Sequence, residues 1–63
     1  METYKERVIN EKSALDDNIK RLEEFIVCDK FTTLEEIEKH DLLLQLTQMQ
    51  RYSNTLAKRI KRF

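Results

Sequence analysis

Seven side chains carry the only grouping of types in this sequence suited to recognising a small molecule. Tyr4 and Arg7 sit one helical turn apart, Lys20 follows on the same stretch, and Thr47, Gln48, Arg51 and Tyr52 cluster near the other end. A flat aromatic ring offers a nucleobase a surface to stack on, and amide or hydroxyl donors read the base's edge. Arg and Lys donate charge-assisted hydrogen bonds to phosphate. Tyr at helical spacing is more often an interface residue than a stacking platform, so an interface role stands ahead of the binding role on these residues alone.

Nothing comparable points to bond-breaking chemistry. His40 is the single histidine and stands in a charged segment, without a nucleophile or an orienting acid. Cys28, the single cysteine, ends helix 1 beside an acid and away from any helix N-terminus, which reads as a packed thiol. Asp16-Asp17 and Glu23-Glu24 are adjacent pairs, and neighbours on a helix diverge by about 100°, so neither forms a catalytic dyad. One Cys and one His do not make a zinc site, and with no glycine there is no phosphate loop or dinucleotide fingerprint. The expectation is a protein that is not an enzyme and holds neither cofactor nor metal.

These residues need elements to position them. The chain has 63 residues, 38% charged and 40% apolar, with no Gly, Pro or Trp. That length allows one small domain. The lone cysteine forbids an internal disulfide and suits a reducing compartment. No apolar run approaches ~20 residues, so neither a membrane span nor a signal-peptide core is expected. Below roughly 70–80 residues a chain without disulfides or metal usually relies on partners, which makes self-association the leading expectation.

The fold class expected is all-α. A single antiparallel helical-hairpin domain would span residues 1–63, with helix 1 over about 4–28, a connection over 29–40 and helix 2 over about 41–62. Thr3-Tyr4-Lys5-Glu6 fits a capping box at the first helix start. A second box at Thr33-Leu34-Glu35-Glu36 allows either a short extra helix in the connection or the first turns of one continuous helix, and His40-Asp41 is a candidate kink or re-start. The apolar stripe of helix 1 runs Val8, Leu15, Ile19, Leu22, Ile26, with Lys12 as its polar interruption. That of helix 2 runs Leu42, Leu46, Met49, Leu56, Ile60, Phe63, with Ser53 interrupting.

One antiparallel register matches both stripes. Ile26 with Leu42, Leu22 with Leu46, Ile19 with Met49, Leu15 with Ser53, Lys12 with Leu56 and Val8 with Ile60 all have residue numbers totalling 68. Lys12 then reads as a snorkelling lysine or a register device. Ile9, Phe25, Leu43, Leu44 and Tyr52 fall outside the stripes and widen the apolar faces beyond what one partner helix covers. Hairpins are therefore expected to assemble into an oligomeric helical bundle.

Charge is unevenly spread. All twelve acids lie in residues 1–41 beside seven bases, whereas residues 42–63 hold five bases and no acid. Mutual neutralisation of the two helices, with Glu2, Glu6 and Glu11 near the basic end of helix 2, is the favoured reading. A cationic rim for a small polyanion is the functional one. The zero net charge argues against long nucleic acid.

Two strings carry a family resemblance. The first is Tyr4-x-x-Arg7-Val8-x-x-Glu11-x-x-x-Leu15-Asp16-x-x-Ile19-x-x-Leu22-x-x-Phe25-Ile26. The second is Phe31-x-x-Leu34, followed by Leu42-Leu43, Gln45-Leu46, Met49, Tyr52, Leu56 and Arg59-Ile60. Together they resemble short helical-hairpin proteins of crAss-like phages and prophages, similar in turn to the anti-CBASS and anti-Thoeris sponges. The resemblance implies a homo-oligomer, from dimer to hexamer, with pockets between protomers. Such pockets sequester a cyclic di- or trinucleotide or a cyclic ADP-ribose type signal in the cytoplasm of the infected bacterial host. In the anti-CBASS sponge a Tyr stacks on a base and a Lys about four turns on meets phosphate; Tyr4 and Lys20 are the nearest equivalents. A second pocket, for cyclic trinucleotides, would draw on Thr47 and Arg51. The rival expectation is a small protein–protein interaction module working through Phe31, Leu43 and Leu44, with no nucleotide ligand.

Overall fold

In the computed structural model, which describes residues 3–63, the chain forms three helices: α1 over Tyr4–Ile26, α2 over Asp29–Thr32 and α3 over Glu36–Lys61. Helices α1 and α3 pack lengthwise into a hairpin, giving a rod of 44 × 18 × 15 Å. At ~1.5 Å per residue the two long helices have nearly equal length, so their ends come level.

Each boundary has a local cause. Thr3, extended at φ −78° and ψ 162°, accepts the backbone N–H of Glu6 at 3.1 Å and caps α1 as its sequence predicts. At the other end Val27 and Cys28 leave the helix, two residues before the expected stop. The chain turns there so that Phe31 can meet Phe25 edge-on, with ring centroids 6.2 Å apart.

The expected connection over 29–40 is a correction. Residues 29–32 are the short helix α2, and α3 begins at Glu36 rather than near 41. Helix α3 runs through His40-Asp41 without interruption. The capping box at Thr33 does not form, because the hydroxyls of Thr32 and Thr33 donate backwards to the carbonyls of Asp29 (2.6 Å) and Lys30 (2.7 Å). They close α2 instead of opening α3. Helix α3 starts from Glu35, which makes no side-chain cap, but Glu36 and Glu38 place negative charge in its first turn, where the helix dipole favours it.

The register is visible in the bonds between the helices. Arg59 donates to the Tyr4 hydroxyl and Tyr52 donates to Glu11. Both pairs have residue numbers totalling 63, as flanking positions must when the seam totals 68. On the opposite flank Ser53 bonds Asp16. Within the seam, Val8 and Leu56 are the buried apolar side chains among the described residues; Leu15, Ile19, Leu22, Ile26, Leu42, Leu46 and Met49 are only half-buried. Ile9, Leu43, Leu44 and Tyr52 lie exposed, between 45% and 49% of their surface open. One partner helix leaves much of each stripe wet.

Candidate functional site

Tyr4 is the first residue of α1, so its ring stands at the end of the rod where α3 finishes. Arg59 holds it there in two ways. Its guanidinium lies 5.6 Å from the ring centroid, and its Nη2 donates to the hydroxyl. That hydrogen bond, ahead of the charges around it, raises the Arg59 pKa above its usual value. Phe63 packs against the other part of the ring at 6.1 Å between centroids, and the Lys5 ammonium sits 5.7 Å from the Phe63 ring centre. The result is an aromatic pair flanked by cations. Tyr4 remains 61% exposed, and the Arg7 guanidinium one turn on makes no hydrogen bond or ion pair among the described residues.

Tyr52 is tied differently. Its hydroxyl donates to Glu11, and this bond, followed by desolvation, pushes the phenol pKa up. Its ring edges the same flank as Tyr4 and lies one heptad of α1 further along. The Thr47 hydroxyl donates to the Leu43 carbonyl at 3.1 Å and keeps only acceptor capacity for a ligand. The side chains of Gln48, Arg51 and Lys20 are exposed and make no hydrogen bond or ion pair among the described residues.

Helix geometry splits the seven residues. Tyr4 and Lys20 are separated by ~24 Å along α1 and by roughly 160° around it. Thr47 points about 180° away from Leu56, on the outer face of α3, with Arg51 beside it. A single hairpin therefore presents Tyr4 with Arg7, Gln48 with Tyr52, Thr47 with Arg51, and Lys20 alone. It does not gather them into one pocket.

Two further residues, to which the sequence assigns no role in the site, position these groups. Arg59 fixes Tyr4, and the register shows why: the pair stands at the same offset as Glu11 and Tyr52. Asp16 joins the two polar interruptions of the seam. Lys12 Nζ donates to Asp16 Oδ2 at 2.6 Å, and Ser53 Oγ donates to Asp16 Oδ1 at 2.5 Å. The bond from Lys12, then that from Ser53, holds the Asp16 carboxyl below its ordinary pKa. Lys12 is thereby committed to the hairpin, and Ser53 is buried with its hydroxyl satisfied.

Among the described residues no ion pair links the two helices, although the Glu11 charge acts on Arg59 across the seam; Glu2 lies outside the described residues. Among the described residues the ion pairs are Lys12–Asp16 and Lys39–Glu36, each within one helix. Glu11 takes the Tyr52 hydroxyl instead of a cation. Among the described residues Arg7, Lys58, Lys61 and Arg62 make no ion pair, so the terminal end of the rod carries unpaired cations, and Arg51, also unpaired, lies nearer the middle of α3.

The one concavity described lies at the opposite end. An open groove of about 350 Å³ is lined by Phe25, Leu34, Leu42, Glu38 and Asp41. None of the seven candidate residues borders it, and its two carboxylates repel an anionic ligand. Among the described residues no three His, Cys, Asp or Glu side chains gather as a metal site. No helix is long and apolar enough to cross a membrane.

Comparison with known proteins gives one match. The model of a family described as Sequestin aligns with residues 2–62. No curated protein and no solved structure matches the chain.

Proposed function

The chain belongs to the Sequestin family, and from that premise we propose that it is a non-catalytic phage sponge working in the cytoplasm of the infected bacterium. It binds cyclic oligonucleotide-type immune signals, cyclic di- or trinucleotides or cyclic ADP-ribose, in pockets between protomers and lowers their free concentration. The family name denotes sequestration, and the ligand class is part of the proposal. The observation that carries it is the exposed Tyr4 ring, clamped by Arg59 and neighboured by the unpaired Arg7. A pre-positioned ring loses little freedom when a base stacks on it, and the adjacent guanidinium is free for phosphate.

The magnitudes set a requirement. Nanomolar capture needs about −12 kcal/mol. Two base stacks at ~1–3 kcal/mol each and two charge-assisted phosphate contacts at ~1.5–3 each give roughly 5–12. Only a pocket organised in advance reaches that value, which favours residues from several chains held by an assembled bundle. The wet stripes of α1 and α3 give such an assembly its driving force.

The test is thermal melting against a panel of cyclic dinucleotides, cyclic trinucleotides and cyclic ADP-ribose isomers. Ligand at about 100 times its Kd adds ~2.7 kcal/mol. For a domain of this size that corresponds to a rise of roughly 10–20 °C. The bound compound should leave intact when the protein is denatured, as mass spectrometry would record. No rise with any compound defeats the sponge reading, and release of a hydrolysed ligand defeats its non-catalytic part.

A second reading has its own support. Leu43 and Leu44 are 46% and 49% exposed and offer a host or phage protein an apolar docking strip. Phe31 belongs less to that strip than expected, since it is half-buried against Phe25. A melting panel without response, together with loss of a bound protein on Leu43→Glu, would favour this interaction module.

A further inference from the structure

The two ends of the rod are complementary in shape, polarity and charge. At the hinge end the groove has walls of Phe25, Leu34 and Leu42, and Glu38 and Asp41 form its rim. Neither carboxylate has an ion pair or hydrogen bond among the described residues. The sequence between Leu22 and Asp41 carries seven acids against two bases, so the field around this end is negative. At the other end Phe63 is 39% exposed and follows directly on Lys61 and Arg62, which also lack ion pairs. Lys58 and Arg59 stand in the same last turn of α3. One end is thus an apolar cleft with unpaired anions, and the other an aromatic tip with unpaired cations. Their separation along a 44 Å rod prevents them from meeting within one hairpin.

We propose that the hinge groove receives the tip of a second copy of this chain: Phe63 enters between Phe25, Leu34 and Leu42 while Lys61 and Arg62 pair with Glu38 and Asp41. The contact is head-to-tail, so every hairpin gives a tip and accepts one. It differs from side-by-side packing of the apolar stripes, which buries Leu43 and Leu44 and leaves both ends open. Apolar burial supplies the attraction, and the opposed charges set direction, since groove against groove or tip against tip juxtaposes like charges. The carboxylates also exclude an anionic small molecule from the groove. Phe63 also packs on Tyr4, so its entry into the groove frees that ring, whereas the charge changes at Glu38, Asp41, Lys61 and Arg62 leave all seven ligand residues in place and read assembly apart from the sponge reading.

Charge reversal tests it. The full chain is compared with two double variants, Glu38→Lys with Asp41→Lys, and Lys61→Glu with Arg62→Glu, and with a chain carrying all four changes. Circular dichroism confirms helicity, and sedimentation velocity at tens of micromolar protein reads the size. Each double variant should sediment as a smaller particle than the parent. An equimolar mixture of the two, and the four-change chain, should regain the parent's size. Phe63→Ala should reduce assembly with the charges intact, and added salt should weaken the parent's assembly. The proposal is overturned if the double variants sediment like the parent, if neither the mixture nor the four-change chain recovers, or if the parent itself is a monomer.

Discussion

Leu56 is the most informative single perturbation, because it is the one large side chain wholly removed from solvent within the hairpin. It occupies the seam layer opposite Lys12, whose ammonium turns aside to Asp16, so Leu56 fills that layer with little apolar help from α1. Truncating such a leucine to alanine costs about 2–5 kcal/mol through lost transfer energy and the cavity left behind. A domain of 63 residues has only ~3–9 kcal/mol to lose. With ~4–8 °C per kcal/mol at this size, Leu56→Ala should lower the melting temperature by roughly 10–40 °C or abolish the transition. Circular dichroism melts at several protein concentrations provide the assay, with Leu43→Ala as the comparison. Leu43 is 46% exposed in one hairpin, so its truncation should matter only where a neighbouring copy covers it, and should therefore depend on concentration. If Leu56→Ala melts within a few degrees of the parent, the seam described here is not the core of the protein.

Three further outcomes follow from named contacts. Asp16 has a folded pKa below its ordinary value, so its contribution is present above the unfolded value near 3.8 and is lost as pH falls through the folded one; urea midpoints measured across acid pH should fall less steeply for Asp16→Asn than for the parent. Tyr52 is shifted the other way by Glu11, so its contribution is present below the ordinary phenol value near 10 and is lost as pH rises through the folded one; Tyr52→Phe should flatten the alkaline limb of the same profile. Thr3→Ala removes the α1 cap and should lower stability by about 1 kcal/mol in denaturant titrations, whereas Thr33→Ala should leave the start of α3 unchanged.

What the sequence made legible was periodicity. The alternation of threes and fours in both stripes defined the hairpin and its register, because a side chain's place on a helix depends on number alone. The bonds Tyr4–Arg59 and Glu11–Tyr52 are consequences of that register and could have been read from it. Asp16 was overlooked because it lies beside the stripe, and only the two polar gaps it bridges mark it out. The connection was misread for a different reason. A threonine followed three residues later by a glutamate fits a capping box, but the same hydroxyl can close the preceding helix. Here Phe31 meets Phe25 edge-on across the turn and the Thr33 hydroxyl bonds backwards to Lys30. Charge was the least legible: balanced counts say nothing about distance, and Glu11 found a phenol before it found a cation.

The spacing of Tyr4 and Lys20 bears on dosage. Because they stand ~24 Å apart on opposite flanks of one helix, any single ligand that touches both bridges two copies of the chain. For the proposed sponge, capacity to capture would then fall faster than the concentration of the protein. Titration of a ligand at falling protein concentration would then show binding lost abruptly, at the point where copies no longer stay joined.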